Sequence, residues 1–338
     1  MKLKIQYKLQ FRTYSFLFIL VLSFFSFVIV NRGESASLPN STEKDVVSQI
    51  QQDDSNAQSF VVAFFGDQAV NETSRRVLRL VKREKAAVII HQGDLSLNKP
   101  ATWERMVNDI LGPDFPIIAV IGNHDAKKWT EYTELLSQRL ARTPEVHCTG
   151  TLGIRSTCTF RGLTVVQTGT GVVTGKFTTY LNRSLTAAST DWKICSWHKN
   201  SRYMQVGAKA SDVKLAMYDE CRRQGAFIVN GHNHAYARTS LMSSFKDRTV
   251  ASISDKLRIG PGRSFAVVSG LGGNSMHAKN LRLASNPWWA NVKTIKDGVG
   301  YGALFCKFGA HHDPDRADCY FKDINGVVHD RFTIINQS

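Results

Sequence analysis

Short apolar runs alternate with amphipathic segments in the first half of the chain. The runs are rich in Val, Ile and Phe, whereas the segments between them repeat apolar side chains at helical spacing. Continuous apolar runs of this length predict buried strands, and a 3.6-residue period predicts helices. The predicted strands are 59–65, 86–90 and 116–121, and the predicted helices are 74–85, 102–111 and 130–140. This βαβα order predicts a mainly parallel sheet flanked by helices.

After Arg142 the pattern changes to short β-rich segments, interrupted by one predicted helix at 212–224. The predicted strands are 156–160, 163–168, 193–197, 226–229, 265–269, 303–308 and 318–322. The polar segment 239–262 has only weak periodicity, so we expect a long loop or hairpin over the face that carries the functional site.

The beginning of the chain has the composition of an export signal. Basic residues without an acid precede an apolar run over 16–30, and the small side chains of Ser35 and Ser37 follow it. A basic flank, a short apolar run and a small-residue exit predict a signal peptide over 1–37. An uncleaved signal anchor is the alternative, and it would tether the same domain to a membrane.

The composition behind this leader indicates a globular exported domain. Residues 38–58 are polar and predict a linker, so the domain would occupy 59–338. Four Asn-x-Ser/Thr sequons, possible sites of glycosylation, agree with a secreted or extracellular protein. The formal net charge of +15, or +11 without residues 1–37, favours anionic substrates, acidic glycans or membrane surfaces. No basic run interleaved with aromatic residues indicates a nucleic-acid module. The oligomeric state stays open.

Six cysteines predict disulfides in an oxidising compartment. Two pairs bracket loops that contain glycine, and their short separations suit stapled hairpins. The third pair either forms a disulfide between a strand and a helix or consists of buried free thiols. The pairs are Cys148 with Cys158, Cys306 with Cys319, and Cys195 with Cys221.

Polar motifs follow several of the predicted strands directly. Ligands bind at the carboxyl ends of strands in α/β folds. Asp, Asn and His there supply oxygen and imidazole ligands, which suit a pair of ions such as iron, zinc or manganese. The motifs are Phe65-Gly66-Asp67, Gly93-Asp94, Gly122-Asn123-His124-Asp125, Ser196-Trp197-His198 and Gly231-His232-Asn233-His234.

In this order, the motifs closely resemble those of the calcineurin-like metallophosphoesterase superfamily. The His-x-His-Ala-Tyr-x-Arg segment at 232–238 is most similar to the purple acid phosphatase branch. The resemblance covers about 59–335 and includes the glycine-rich turn at 269–273 and the closing segment 330–332. It implies an α/β (α+β) fold, a two-layer β-sandwich flanked by helices. It also implies hydrolysis of phosphate esters by attack of a metal-bound hydroxide at a dinuclear centre.

The same resemblance assigns roles to individual residues. The implied cofactors are two metal ions, which would be Fe, Zn or Mn. His124 would hold the phosphoryl oxygens or protonate the leaving alkoxide. The implied metal ligands are Asp94 as the bridge, Asp67 and His234 at the first ion, and Asn123, His198 and His232 at the second. Residues near the motifs that we expect to contact substrate are Tyr236, Arg238, Lys199, Arg202 and His277.

The first metal site departs from the family pattern at two positions. Ala69 stands where relatives with an Asp-x-His motif have histidine, and Leu97 stands where purple acid phosphatases have tyrosine. Gln68 and His91 are nearby candidates to complete the site. Without the tyrosine, we expect a colourless protein even when it is loaded with iron, and a first ion that is loosely held.

The leading hypothesis from the sequence is a secreted or surface-tethered metallophosphatase that hydrolyses phosphomonoesters of small molecules or phosphoproteins. A phosphodiesterase of the same superfamily, acting on nucleotides or phospholipids, is the alternative within the enzymes, because the metal ligands do not set specificity. A catalytically impaired surface binding protein is the alternative outside them, and Ala69 and Leu97 favour it.

Overall fold

Two β-sheets pack face to face in the computed structural model, which describes residues 59–337. The predicted leader and linker lie outside the described residues, and the domain boundary remains a prediction. Helices cover the outer face of each sheet. The predicted fold class, an α/β (α+β) sandwich flanked by helices, is confirmed.

The first sheet has seven strands, with one run of three parallel strands and one further parallel pair at its other edge. Its strands are β1 (Phe60–Phe65), β2 (Ala86–His91), β3 (Ile117–Ala119), β12 (Lys256–Ile259), β15 (Gly302–Phe308), β16 (Arg316–Asp323) and β17 (Val328–Asn336). Their order is β12-β17-β16-β15-β1-β2-β3. Because β1, β2 and β3 are parallel, their carboxyl ends meet at one edge of the sheet.

The second sheet has eight strands, and its middle is also parallel. Its strands are β4 (Val146–Thr151), β5 (Arg155–Phe160), β6 (Leu163–Thr168), β7 (Trp192–Trp197), β8 (Phe227–Asn230), β9 (Tyr236–Thr239), β13 (Ala266–Ser269) and β14 (Trp289–Lys293). Their order is β14-β9-β13-β8-β7-β6-β5-β4. A separate hairpin consists of β10 (Leu241–Ser244) and β11 (Thr249–Ser252).

The helices lie on the two outer faces. The first sheet is covered by α1 (Glu72–Arg83), α2 (Pro100–Leu111) and α3 (Trp129–Ala141), and the second by α4 (Phe177–Thr186) and α5 (Leu215–Arg223). A short helix, α6 (Leu281–Ala284), precedes β14. The asparagine before α1 caps it, since the Asn71 side chain accepts the Ser74 N–H at 2.8 Å.

The alternation of side chains along β1 explains why both faces of its sheet are buried. Val62 and Phe64 point into the core between the sheets, where Phe64 packs edge-to-face on Phe227. Ala63 and Phe65 point to the opposite face and pack against the helices. A strand that is buried on both faces has a continuous apolar sequence, which is why the pattern predicts it well.

The segment 239–262 contains a hairpin, as predicted, but not at the predicted position. It forms the β10–β11 hairpin and then β12, which extends the first sheet beside β17. The hairpin turn packs on α5, where the backbone N–H of Phe245 donates to Asp219 at 3.0 Å. The segment is therefore built into the sandwich beside α5, and its contacts are not with the predicted metal ligands.

All six cysteines form disulfides. Cys148–Cys158 joins the neighbouring strands β4 and β5, and Cys306–Cys319 joins β15 and β16. Both predicted pairs are confirmed. Cys195–Cys221 links β7 to α5, so the strand-to-helix alternative is the correct one.

The structure describes helices only within residues 59–337. None of the helices in that range combines the length and apolarity that crossing a bilayer requires. The predicted leader is not part of that range.

Candidate metal centre

Five of the predicted metal ligands follow the carboxyl ends of strands that meet at one edge of the sandwich. Asp67 follows β1, Asp94 follows β2 and His198 follows β7. Asn123 and His232 follow β3 and β8 with short loops between. Three of the ligands have a left-handed backbone, with φ of 62° at Asp67, 54° at Asp94 and 65° at His232. Such strain in residues other than glycine is concentrated at functional sites.

Gly122 allows two of these loops to touch. A Cβ atom at this position would lie 2.1 Å from both the backbone nitrogen and the Oδ1 atom of Asp94. Real Cβ atoms do not approach so closely, so the loop after β3 can meet the loop after β2 only with glycine there. This close approach brings Asn123 next to Asp94 and explains the glycine of the motif.

The predicted second metal site is a compact cluster of ligand atoms. Ligand atoms of Asp94, His198 and His232 all lie within 4.8 Å of one another, and all three residues are buried. Nε2 of His198 lies 3.2 Å from Oδ2 of Asp94 and 3.0 Å from Oδ1 of Asn123. The structure therefore brings all four residues predicted around the second ion together.

A backbone hydrogen bond on the side of the ring away from the cluster fixes the orientation of His198. Its Nδ1 lies 2.7 Å from the carbonyl oxygen of Gln92, to which it donates, and this leaves Nε2 facing the cluster. Such a backbone partner is typical of metal-binding histidines. Burial alone would lower the pKa of His198, but the charge of Asp94 and its hydrogen bond raise it to about 9. Burial and the charge of His198 lower the pKa of His232 to about 2.

Asp67 and His234, the residues predicted at the first ion, also lie together. Oδ1 of Asp67 is 3.3 Å from Nε2 of His234, whereas Oδ2 accepts the backbone N–H of His232 at 2.8 Å. Oδ1 is buried and has no hydrogen-bond partner among residues 59–337. A buried carboxylate oxygen is costly without a partner, and a cation beside His234 would supply one. The residues present therefore fit a metal ion.

His277 supports His234 through its ring. The two imidazoles stack with centroids 4.1 Å apart and an angle of 7° between the planes. Nδ1 of His277 accepts the backbone N–H of His234 at 3.1 Å, and Ser275 Oγ lies 2.9 Å from the Nδ1 atom of His234. Burial and the charge of His234 lower the pKa of His277 to about 4. His277, an expected substrate contact, is thus placed beside the centre in contact with His234.

Gln68 and His91, the two candidates to complete the first site, form a hydrogen bond with each other. Oε1 of Gln68 lies 3.2 Å from Nε2 of His91 and accepts the indole N–H of Trp103 at 3.1 Å. The other ring nitrogen of His91 accepts the backbone N–H of Gly93 at 3.2 Å. Burial and the charge of His198 lower the pKa of His91 to about 3. Both side chains therefore hold the loops and are not free to bind an ion.

Asp125 belongs to the third motif, although only Asn123 and His124 of that motif are predicted site residues. Its side chain accepts the backbone N–H of Leu95 at 2.9 Å and that of Gly122 at 3.0 Å. These bonds join the loop after β2 to the loop after β3. Burial and the charge of Asp94 raise the pKa of Asp125 to about 7. The feature of the sequence that could have identified Asp125 is its position in the motif, directly after His124.

His124 lies at the exposed rim of the cluster. Its backbone N–H donates to Oδ1 of Asp94 at 2.9 Å, while the residue itself is exposed to solvent. This arrangement anchors the backbone to the centre and leaves the imidazole accessible from outside.

Lysines lie around the same rim. Nζ of Lys199 is 3.3 Å from Oδ2 of Asp212, and that oxygen is 4.0 Å from Nε2 of His232. After burial and neighbouring histidines, the charge of Lys209 also contributes to lowering the pKa of both His232 and His277. Lys209 carries no sequence signal, because it lies in an irregular loop. Asp212 was predicted as the first residue of a helix, but that helix begins at Leu215, so Asp212 lies in the same loop.

Two expected substrate contacts are not brought to the centre. Tyr236 and Arg238 are fully buried on β9, where both bond to Asp330 of β17. They therefore join the two sheets, which corrects the expectation drawn from the motif. Arg202 is exposed, its backbone N–H donates to Oγ of Ser211 at 3.0 Å, and its contact with substrate stays a prediction.

The sequence matches the family model described as calcineurin-like phosphoesterase over residues 61–236. No curated protein matches it. Among solved structures, a purple acid phosphatase, PPD1 from yellow lupin (Lupinus luteus) seeds, is similar with a TM-score of 0.59 and 14% identity. That alignment covers 83% of this chain and 54% of the lupin chain, so this chain spans about half the length of that relative.

Two further solved structures show weaker similarity. PhoD has a TM-score of 0.46 and 11% identity over 82% of this chain and 72% of its own. The protein TT1561 of Thermus thermophilus has a TM-score of 0.43 and 13% identity over 70% of this chain and 98% of its own.

Proposed function

The chain belongs to the calcineurin-like phosphoesterase family, and we propose that it is an extracellular metallophosphatase that hydrolyses phosphomonoesters at a dinuclear centre. The family indicates a phosphate ester hydrolase. The observation that carries the proposal is the convergence of Asp94, Asn123, His198 and His232, next to a buried Asp67 oxygen without a hydrogen-bond partner among the described residues.

The donor set suits two ions. Asn123, His198 and His232 would hold one ion, Asp67 and His234 the other, and Asp94 both. Carboxylate, amide and imidazole ligands fit iron, zinc or manganese. When bound, such ions supply a hydroxide nucleophile near neutral pH and offset the charge of the phosphoryl oxygens.

The remaining residues of the rim would bind and protonate the substrate. His124 is exposed and is anchored to Asp94 through its backbone, so its imidazole can donate a proton to the leaving alkoxide. Lys199 and Lys209 lie around the same opening, where their ammonium groups would attract a phosphorylated small molecule or phosphoprotein.

An extracellular location agrees with the cysteine chemistry. One disulfide lies within the first sheet, and two lie in the second sheet and its helices. Disulfides persist in oxidising compartments. A protein that meets its substrate outside the cell would also profit from its positive charge in attracting phosphorylated molecules.

The test is an assay of the purified protein after chelation and reloading with iron, zinc or manganese. The substrates are p-nitrophenyl phosphate as a monoester and bis(p-nitrophenyl) phosphate as a diester. We expect metal-dependent hydrolysis that favours the monoester. We also expect Asn123→Ala to lower kcat/KM by about 100-fold, while Asn325→Ala, at an exposed turn, leaves it unchanged.

Two results would contradict the proposal. Preference for the diester would assign the protein to the phosphodiesterases. Equal inactivity of the wild type and Asn123→Ala, with unchanged circular dichroism and with metal still bound, would leave a binding protein.

A further inference from the structure

A polar groove opens beside the metal centre, between the loop after β6 and the first turns of α4 and α5. Its volume is about 390 Å³, which is enough for a small organic group. We call it the lysine groove. Its main polar lining residues are Thr170, Lys176, Thr178, Thr179, Asp212 and Lys214.

Asp212 connects the lysine groove to the metal centre. It lines the groove, and its Oδ2 lies 4.0 Å from Nε2 of His232. The loop after β6 closes tightly on this connection. A Cβ atom at Gly171 would lie 3.1 Å from Cβ of Lys199 and 3.2 Å from Cβ of Asp212. The groove therefore begins where the predicted ligands of the second ion end.

The charge of the groove is positive. Asp212 is the only acid among its lining residues, and its charge is offset by Lys199 at 3.3 Å. Neither Lys176 nor Lys214 forms an ion pair with another residue in the range 59–337, and both are exposed. Two unneutralised ammonium groups in one groove attract an anion. The hydroxyl group of Thr179 adds a hydrogen-bond donor there, whereas that of Thr178 donates to Sδ of Met217.

Building on the proposed phosphatase function, we propose that the lysine groove receives the leaving group of the substrate and selects one that carries a second anionic group. A substrate whose phosphoryl group lies at the metal centre would extend its leaving group past Asp212 into the groove. Lys176 and Lys214 would then bind a carboxylate or a second phosphate. The preferred substrates would be phosphomonoesters of organic acids or bisphosphates.

The test uses matched substrates that differ in one charged group. The carboxylate pair is 3-phosphoglycerate and glycerol 3-phosphate, and the phosphate pair is fructose 1,6-bisphosphate and fructose 6-phosphate. Binding to the metal-loaded protein is measured by calorimetry, and turnover is measured separately. For at least one pair, we expect the doubly anionic member to bind about tenfold more tightly in low salt, with a preference that shrinks as salt is added.

In the variant Lys176→Gln/Lys214→Gln, the ratio of the affinities for the doubly and singly anionic members of the pair should fall to about one. Its control is Lys85→Gln/Lys307→Gln, which removes the same charge. Both control lysines lie near Val61, at the end of β1 opposite Asp67. The control should keep the wild-type ratio.

The outcomes separate this inference from the proposed function. The proposed role of the lysine groove would be overturned by either of two results. One is that the wild type binds both members of each pair with similar affinity. The other is that the wild type and the groove variant show the same ratio of affinities. Selective binding that depends on the two lysines but is accompanied by no turnover would support the groove and contradict the phosphatase. The pair that responds tells whether the second group is a carboxylate or a phosphate.

Discussion

Oδ1 of Asn123 lies 3.0 Å from Nε2 of His198, although the two residues are 75 positions apart in the sequence. Since Nδ1 of His198 donates to the Gln92 carbonyl, a neutral ring points the lone pair of Nε2 at two oxygens, Oδ1 of Asn123 and Oδ2 of Asp94. Three electron-rich atoms this close repel one another unless a proton or a metal ion lies among them. The pKa of His198, which Asp94 raises to about 9, agrees with a proton in that position when no ion is bound.

We expect metal binding to release about one proton at neutral pH. His198, with its pKa raised to about 9, is protonated below that pH and must lose this proton before Nε2 can bind an ion. Affinity for the metal should therefore increase as the pH rises toward 9. Calorimetric titrations in two buffers of different ionisation enthalpy measure the protons released. Equal apparent enthalpies in both buffers would mean that metal binding releases no proton, and would contradict the displacement of a proton from His198.

Asp67→Asn should separate the stability of the protein from its stabilisation by metal. The substitution removes a buried charge whose Oδ1 has no hydrogen bond to any residue in 59–337, so the metal-free variant should be at least as stable as the wild type. The increase in Tm on adding metal should shrink, because the first ion loses a charged ligand. Differential scanning calorimetry with and without metal tests both parts. An undiminished increase would exclude Asp67 as a ligand.

Apolar runs made most of the sandwich predictable. Strands such as β1 are buried on both faces and leave a continuous signal. β9 was not predicted, because its four residues include the polar side chains of Tyr236, Arg238 and Thr239. Their burial depends on partners such as Asp330, which arrives from β17 at the far end of the chain. Sequence pattern carries no information about such a distant partner.

The candidate site shows the same division. The proximity of the motif side chains could be predicted because each motif follows a strand. The positions of Asp212 and Lys209 depend on an irregular loop, whose path is set by contacts such as Asn233 Oδ1 accepting the N–H of Gly207 at 3.1 Å. Irregular loops have no periodicity from which that path could be predicted.

The iron-loaded protein should be colourless, and Leu97→Tyr should change that. A visible band requires charge transfer from a phenolate to ferric iron, and Leu97 stands at the position of the tyrosine in purple acid phosphatases. Leu97 follows Asp94 closely, with φ of 53°, and its side chain is partly exposed, so a larger ring can be accommodated. Absorption spectra of both proteins after loading with ferric iron provide the test. A purple wild type would mean that another tyrosine reaches the ion.

Asp330→Ala should strongly destabilise the folded protein. Asp330 accepts hydrogen bonds from Nε of Arg238 at 2.7 Å and from the hydroxyl of Tyr236 at 2.6 Å, and all three side chains are buried. Leaving Arg238 without this partner should cost about 3–5 kcal/mol of unfolding free energy. Asp255→Ala removes the exposed partner of the same guanidinium and should cost less than about 1 kcal/mol. Urea denaturation measures both. Similar costs would contradict the structural role given to Asp330.

Asp323 should make the stability of the protein depend on pH in acid. Burial would raise the pKa of Asp323, but hydrogen bonds from His329 and from the backbone N–H groups of Val327, Asn325 and Gly300 lower it. A carboxyl whose pKa is lower in the folded than in the unfolded protein stabilises the fold at every pH above its ordinary value of about 4. That contribution is lost as the pH falls through the lower, folded value.

Asp323→Asn should therefore destabilise the protein at pH 7 by about 1–3 kcal/mol, because an amide cannot accept from all of these donors. The difference in unfolding free energy between the wild type and the variant should narrow as the pH falls below about 4, since protonation of Asp323 removes the same interaction from the wild type. Urea denaturation between about pH 2.5 and 7 measures this difference. A gap that stays constant over that range would mean that the carboxylate charge contributes nothing, and that the turn depends on the shape of the side chain alone.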